Sequence, residues 1–174
     1  LQGHRGKKMK TDIIATFLPG EVVDSLYASM GRCGLKVSNI TLEPIAAMNA
    51  IIPHELRMLN LVLVDIGAGT SDIAISEGGS VVAYTMATVA GDEITEAIVQ
   101  SCLVDFHMAE QMKFSLSEGA KSIHYEDILG FSYKISAADL KEKVQPAVEN
   151  LCSEICGRIL EINGKAPAAV FMVG

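Results

Sequence analysis

The chain has 174 residues, 49% of them hydrophobic and 20% charged, and carries a formal net charge of −7. This length can bury a core in one large or two small domains. The acidic balance argues against nucleic acid or an anionic membrane surface as the main partner. No apolar run approaches the roughly 18 residues that a membrane span needs. The four scattered cysteines, without a CxxC pair, indicate reduced thiols and a cytoplasmic protein.

Both ends of the chain lead us to expect a fragment of a longer protein. The sequence opens on LQGHRGKKMK without an initiator Met and stops at VFMVG, directly after an apparent strand. We expect residues 1–9 to be a disordered or artificially added tail, because a solvated basic terminus is more common than a nucleic-acid arm.

The first predicted elements form a strand–helix–strand unit. Residues 12–18 are typical of a strand, and residues 21–34 have helical apolar spacing with Gly34 as the stop. Residues 35–40 then resume an extended path. Such a unit is a building block of a mixed α/β sheet.

A short helix and the strongest β signal of the chain follow. The helix is predicted over residues 42–52, with Pro44 in its first turn, where a missing N–H costs nothing, and Pro53 after its end. GAG and GG turns then join three strand-like runs, residues 61–65, 71–76 and 80–89.

Two helices are predicted next, followed by a segment without a clear pattern. Asp92 is the expected N-cap of a helix within residues 90–104, and a second helix covers residues 106–116. Residues 122–133 are typical of a loop or a short strand.

The last predicted elements are a long helix and a buried strand over residues 168–173. Ser136 should cap the helix, Pro146 should kink it and Gly164 should end it. Its core stripe is predicted to be Leu140, Val144, Val148, Leu151, Ile155 and Ile159.

The stretch VDIGAGTSDIAI, residues 64–75, places a glycine turn between two predicted strands. Gly67 and Gly69 allow a turn tight enough for backbone N–H groups to point at one spot, which suits phosphate oxygens. Asp65 could hold a hydrated Mg²⁺, and Thr70 offers a hydroxyl. Neither GxGxxG nor GxxxxGK[ST] is present, and both of those loops lead into a helix rather than a strand. The alternative is a plain β-hairpin with an acidic tip.

Two further candidate sites carry charged side chains. Glu110, Lys113 and Ser117 fall within about 60° of one another on a helix and could bracket a ribose and an adenine edge. The alternative is an amphipathic helix with an i,i+3 ion pair. Glu43, before the short helix, could order a water at a phosphate or simply favour the helix dipole.

Together these segments resemble the actin-like ATPase superfamily, which includes actin, the heat-shock chaperone ATPases, FtsA and MreB. VDIGAGTSDIAI is similar to its second phosphate motif, AGDEITEAI to its Gly-Gly-Asp segment and AEQMKFSLS to its adenosine-side helix, and APAAVFMVG stops at the first glycine of its adenosine loop. Within the superfamily, GDEITEAIVQSCLVDFHMAEQMK and HELRMLNLVLVDIGAGTSDIAI are most similar to the FtsA family of bacterial cell-division proteins.

The resemblance implies an incomplete α/β, ribonuclease-H-like fold with mixed sheets flanked by helices. Residues 10–53 would be the end of a first lobe with its connecting segment, and residues 58–174 a second lobe. The implied cofactors are ATP and Mg²⁺. The implied catalytic residues are Glu43 and Asp65, with Asp65 holding Mg²⁺ through water. The implied nucleotide-binding residues are Gly67, Ala68, Gly69, Thr70, Gly91, Glu110, Lys113, Ser117 and Gly174.

The implied function is the ATP-binding portion of an FtsA-like protein whose nucleotide state governs lobe closure and polymerisation. Expected partners are ATP and either further copies or a tubulin-like division-ring protein, in the cytoplasm or at the inner face of the membrane. Hydrolysis would be slow, and the chain alone should show weak or undetectable activity, because the family's first phosphate hairpin is not in it. The alternatives are a chaperone-like or reactivating ATPase, a PilM-type pilus-assembly protein and a nucleotide-free structural adaptor.

Two residues depart from the family's pattern. Ala68 stands where many members have glycine, and its methyl group is tolerable unless the position needs a positive φ. Ala90 replaces the first glycine of Gly-Gly, which could hold the chain slightly farther from the phosphates.

Overall fold

A computed structural model describes residues 5–8, 10, 13 and 15–174 of the chain. The chain divides into two units, Leu1–Leu42 and Glu43–Gly174. The expected lobe boundary between residues 53 and 58 falls inside the second unit. The assignment of these units to two lobes stays a prediction.

The regular element of the first unit, within its described residues, is helix α1 (Gly20–Arg32). Gly34, at a φ of +73°, lets the Leu35 N–H return to the Met30 carbonyl at 3.0 Å. This hydrogen bond is typical of a helix that ends in a left-handed glycine. The helix was therefore predicted to within two residues at either end.

The strands expected on either side of α1 are wrong at the positions that the structure describes. Residues 13 and 15–18 form no strand, nor do residues 35–40, while Asp12 and Ile14 lie outside the described residues. A strand is stabilised by the hydrogen bonds of a neighbouring strand. Neither segment has such a neighbour among the described residues.

The second unit is built on a mixed four-stranded sheet with the order β3-β2-β1-β6. The antiparallel strands β1 and β2 are joined by residues 67–70, the antiparallel strands β2 and β3 by residues 78–79, and β6 pairs parallel to β1. The strand bounds are Leu61–Ile66 for β1, Ser71–Glu77 for β2, Ser80–Ala87 for β3 and Ala169–Val173 for β6. Strands β1, β2 and β3 were predicted to within two residues.

Four helices and a small hairpin complete this unit. The helices are α2 (Glu43–Ile51), α3 (Gly91–Cys102), α4 (Phe106–Ser117) and α5 (Ala137–Asn163), with a single 3₁₀ turn at His54–Leu56. The segment without a clear pattern forms an antiparallel hairpin of β4 (Ser122–Glu126) and β5 (Ser132–Ser136).

Strand β1 is buried on both faces, which explains its unbroken apolar sequence. On one face, Val62 and Val64 pack with Ile73 and Ile75 of β2 against α5, through Leu151, Ile155 and Ile159. On the other face, Leu61 and Leu63 pack with Ala74 against Met48 of α2 and Ile52, which directly follows it. A third cluster joins α3, α4, the β4–β5 hairpin and the start of α5.

The long helix α5 begins and ends where the sequence predicts. The Ser136 hydroxyl accepts a hydrogen bond from the Asp139 N–H at 3.1 Å, and Gly164 ends the helix at a φ of +68°. Pro146 lies within the helix. The predicted stripe is buried at five of its six positions, with Val148 half-buried.

Two local expectations were wrong. Strand β6 is not fully buried, because it lies at the edge of the sheet and leaves Val170 and Met172 46% and 67% exposed. The N-cap of α3 is Ala90 rather than Asp92. The Ala90 N–H donates to the Glu93 carboxylate at 2.6 Å, so a side chain from the first turn satisfies the start of the helix.

Leu140→Ala tests the burial of α5. Leu140 is fully buried, so we expect its truncation to lower the free energy of unfolding by about 2–5 kcal/mol, whereas Leu160→Ala on the same helix, at a 53% exposed position, should cost less than about 1 kcal/mol. Urea denaturation followed by circular dichroism measures both. Equal losses would contradict the described packing.

Candidate functional site

The turn between β1 and β2 presents free backbone donors. The Gly67 N–H donates to the Thr70 carbonyl at 3.0 Å and closes the turn. The N–H groups of Ala68, Gly69 and Thr70 donate no hydrogen bond to any described residue, and the turn is exposed. Three consecutive free amides on an exposed turn are donors for an anion.

Of the two glycines of this turn, only Gly67 allows a close approach, and neither adopts an unusual backbone angle. All four residues have φ outside the left-handed region. A Cβ on Gly67 would lie 3.2 Å from the Thr70 carbonyl oxygen, whereas one on Gly69 would meet only the Asp92 carboxylate at 3.9 Å. The methyl group of Ala68 is therefore tolerated, because its position does not need a positive φ.

The turn is fastened to the start of α3 by backbone and side-chain hydrogen bonds. The N–H groups of Gly91 and Asp92 donate to the carbonyls of Gly67 and Ala68 at 3.0 and 2.8 Å. The buried Ser71 hydroxyl donates to the Val89 carbonyl at 2.7 Å. A Cβ on Gly91 would lie 3.2 Å from the Gly67 carbonyl oxygen, so a glycine here allows the close approach of the turn to α3.

A polar cluster joins α3 to α4 and consists of Thr95, Glu110, Lys113 and the Gly91 carbonyl. The Lys113 ammonium donates to the Gly91 carbonyl at 3.1 Å, to the Thr95 hydroxyl at 2.6 Å and to Glu110 Oε1. The Thr95 hydroxyl donates to the same Glu110 oxygen. An ammonium has three donors, so this cluster uses all of them.

The same contacts favour the ionised form of Glu110. Hydrogen bonds from Lys113, and secondly from Thr95, hold the pKa of the Glu110 carboxyl below its usual range, against a smaller opposing effect of burial. Glu110 Oε2 accepts no hydrogen bond from the described residues. Since the side chain is 41% exposed, this oxygen could accept a hydrogen bond from a ligand.

Asp65 lies at the end of β1 and is half-buried. It faces Asp72 across the β1–β2 pair, and Asp72 accepts a hydrogen bond from the Tyr84 hydroxyl. Burial, together with Asp72 and then Glu43, raises the pKa of Tyr84 to about 12. The Asp65 carboxylate accepts no hydrogen bond from the described part of the chain. No three His, Cys, Asp or Glu side chains among the described residues could hold a metal ion directly.

The structure brings most of the predicted residues to one end of the sheet. Gly174 lies against the end of β1, because at its φ of +115° a Cβ would come 2.1 Å from the Ile66 carbonyl oxygen. Glu43 is exposed at the first residue of α2. Ser117 does not join the α3–α4 cluster, since its hydroxyl donates to the Phe114 carbonyl at 2.7 Å.

Sequence reasoning missed Thr95, Ser71 and Tyr84. Thr95 carried a signal, because it shares helical spacing with the apolar Ile98 and Cys102, and a polar residue in an apolar stripe needs a partner. Ser71 and Tyr84 offered no such signal, because the alternation of apolar and polar residues in a strand allows either residue at its position.

Comparison with solved structures identifies the fold as that of the actin-like ATPases. A PilM–PilN type IV pilus biogenesis complex matches with a TM-score of 0.68 and 18% identity, over 89% of this chain and 41% of that chain. MreB5 of Spiroplasma citri bound to AMPPNP matches with a TM-score of 0.61 and 23% identity, over 87% of this chain and 49% of that chain. At these identities the likeness defines the fold alone.

Sequence comparison then identifies the family. The family model described as cell division protein FtsA matches residues 62–148, which is half of the chain. FtsA of Pseudomonas aeruginosa is 37% identical over 64% of this chain, and FtsA of Neisseria meningitidis serogroup B is 27% identical over 93% of it. The chain belongs to the FtsA family of cell-division proteins. It spans 27% and 38% of the lengths of these two relatives.

A helix that crosses a bilayer needs about 20 predominantly apolar residues. None of the described helices has both the length and the apolar character to cross a membrane.

Gly91→Ala tests the junction between the turn and α3. The added Cβ would crowd the Gly67 carbonyl, so we expect the free energy of unfolding to fall by about 1–3 kcal/mol. Gly157→Ala on α5 is the matched control, because its Cβ would meet no atom within 4 Å and should stabilise the helix by up to about 1 kcal/mol. Urea denaturation compares them, and a Gly91→Ala variant as stable as the wild type would contradict this junction.

Glu110→Gln tests the charge of the α3–α4 cluster. Since the folded state lowers the pKa of Glu110, its ionised form stabilises the fold at neutral pH. This stabilisation is lost as the pH falls below the usual glutamate pKa and through the lowered one. Glu110→Gln should therefore reduce the difference in unfolding free energy between pH 7 and pH 3, while Glu96→Gln at an exposed position of α3 should not. The two variants behaving alike would contradict the described cluster.

Proposed function

We propose that this chain is the ATP-binding part of an FtsA-family protein in which nucleotide state governs lobe closure and polymerisation. The observation that carries the proposal is the turn of residues 67–70, with three consecutive free amides fastened to α3. The MreB5 structure, which has the same fold, is bound to AMPPNP and adds support for a nucleotide.

In this proposal the free amides of Ala68, Gly69 and Thr70 bind phosphate oxygens of the nucleotide. Gly91 lets the turn approach α3 closely enough to fix those amides. At the nucleoside end, the Lys113 ammonium contributes its charge rather than a free donor, because its three donors are already used. Glu110 Oε2 accepts a hydrogen bond from a ribose hydroxyl, and Gly174, in close contact with the end of β1, lies beside the nucleoside. Ser117 would approach the nucleotide only if its hydroxyl left the Phe114 carbonyl.

The donor set fits a hydrated Mg²⁺ rather than one bound directly by several side chains. Asp65 supplies one free carboxylate, and the Asp72 carboxylate opposite it is already bound to Tyr84. Magnesium in proteins usually keeps several waters and binds through one or two carboxylates and the phosphates. When bound, the ion would neutralise phosphate charge, and Glu43 would order the attacking water.

Slow hydrolysis follows from the same arrangement. The predicted catalytic residues position groups and neutralise charge, and the proposed site includes no histidine as a general base. Further copies of the protein or a tubulin-like division-ring protein are the proposed partners, in the cytoplasm or at the inner face of the membrane. The second candidate is a role in pilus assembly, which the structural match to the PilM–PilN complex suggests. The match to the FtsA family model argues against it.

Asp65→Asn in the full-length protein tests the proposal. We expect the wild type to bind a fluorescent ATP analogue more tightly with Mg²⁺ than without it, and Asp65→Asn to lose most of that difference. Asp24→Asn, at an exposed position of α1, is the control and should behave as the wild type. Fluorescence anisotropy measures the binding.

Two results would contradict the proposal in different ways. Absence of binding by the wild type in both conditions would refute an ATP-binding function. An unchanged Mg²⁺ dependence in Asp65→Asn would leave ATP binding in place and remove the proposed role of Asp65.

A further inference from the structure

Thr95 is the residue through which α3 holds the two charged side chains of α4. It is fully buried, its hydroxyl accepts from the Lys113 ammonium at 2.6 Å, and it donates to Glu110 Oε1. The Gly91 carbonyl is also 3.2 Å from this hydroxyl. A hydroxyl has one proton, so donation to Glu110 leaves the Gly91 carbonyl to Lys113.

Without a contact from another helix, Glu110 and Lys113 would hold each other only weakly in one orientation. They lie three residues apart on α4, with side chains 41% and 28% exposed. A partly exposed ion pair of two long side chains has little net stability, because holding both in one geometry costs rotamer entropy. The Thr95 hydroxyl approaches them from the facing helix and is itself fixed by burial.

The phosphate half of the candidate site is held without Thr95. Its attachment to α3 consists of backbone hydrogen bonds from Gly91 and Asp92 to the carbonyls of Gly67 and Ala68. The Thr95 hydroxyl takes part in none of these bonds. The phosphate half therefore depends on backbone N–H groups of α3, whereas the charged pair of α4 depends on the Thr95 hydroxyl in addition to the Gly91 carbonyl.

We propose that Thr95 is a positioning residue for the nucleoside end of the nucleotide. It sets the orientation of Glu110 and Lys113 and leaves Glu110 Oε2 facing the ligand, without touching the nucleotide itself. This inference rests on the proposed ATP-binding function and assigns a second support to that site.

The test compares ATP with inorganic tripolyphosphate, which lacks the nucleoside, in the full-length protein with Mg²⁺. Thr95→Val keeps the β-branched shape and removes the hydroxyl, whereas Thr95→Ser keeps the hydroxyl. We expect Thr95→Val to weaken ATP binding about tenfold and to leave tripolyphosphate binding unchanged. Thr95→Ser should bind both ligands as the wild type does. Isothermal titration calorimetry measures the affinities.

The outcomes separate the two proposals. Equal weakening of both ligands by Thr95→Val, or weakening by Thr95→Ser as large as that by Thr95→Val, would overturn the positioning role. A wild type that binds neither ligand would refute the ATP-binding function, and this inference with it. Tripolyphosphate binding without any preference for ATP would overturn the nucleoside role while keeping a phosphate site.

A second measurement does not depend on a ligand. In the unliganded protein, Thr95→Val should raise the pKa of the Glu110 carboxyl, because one of its two donors is lost, and Thr95→Ser should not. Thr95→Ala serves if Thr95→Val does not fold. Carbon-detected NMR of the glutamate carboxyls measures this pKa, and an unchanged value in the folded variant would overturn the role of Thr95.

Discussion

The rest of the site depends on the two backbone hydrogen bonds that join the start of α3 to the turn of residues 67–70. They aim the carbonyls of Gly67 and Ala68 at α3. In a trans peptide the carbonyl and the following N–H point in opposite directions. The N–H groups of Ala68 and Gly69 must therefore point away from α3, into the space that a ligand can reach. In a turn without these two hydrogen bonds, nothing would hold the N–H groups in one common direction.

Strand β1 gives this arrangement a rigid base. Its four apolar residues are buried between α2 on one face and α5 on the other, so a polar side chain can emerge only at its end. Asp65 stands at that end, directly before the turn. The buried residues of β1 that stabilise the sheet therefore also determine where the Asp65 carboxylate and the free amides of the turn lie.

Much of the second unit could be predicted because its patterns are local. Alternation marked β2 and β3, a continuous apolar run marked β1, and caps and spacing marked α5. The strand expected over residues 12–18 is wrong at its described positions, 13 and 15–18, because a strand needs a partner, which a local pattern does not supply. The exposed side of β6 has the same origin, since its place at the sheet edge depends on the order of the strands.

The sequence predicted which residue types form the site better than it predicted the hydrogen bonds that join them. Glycines and carboxylates identified the turn, but neither the cap of α3 at Ala90 nor the role of Thr95 follows from spacing alone. Both depend on which helix faces which, a matter of tertiary contact. The family resemblance supplied the link between the turn and α4 that the residues by themselves left open.

Hydrogen exchange of the amides of Ala68, Gly69 and Thr70 in the full-length protein tests the central claim most directly. These amides donate no hydrogen bond to the described residues, so without a nucleotide they should exchange rapidly. With saturating AMPPNP and Mg²⁺ all three should become protected, because each would donate to a phosphate oxygen. Equally fast exchange at these three positions, under conditions where nucleotide binding is demonstrated, would contradict the account.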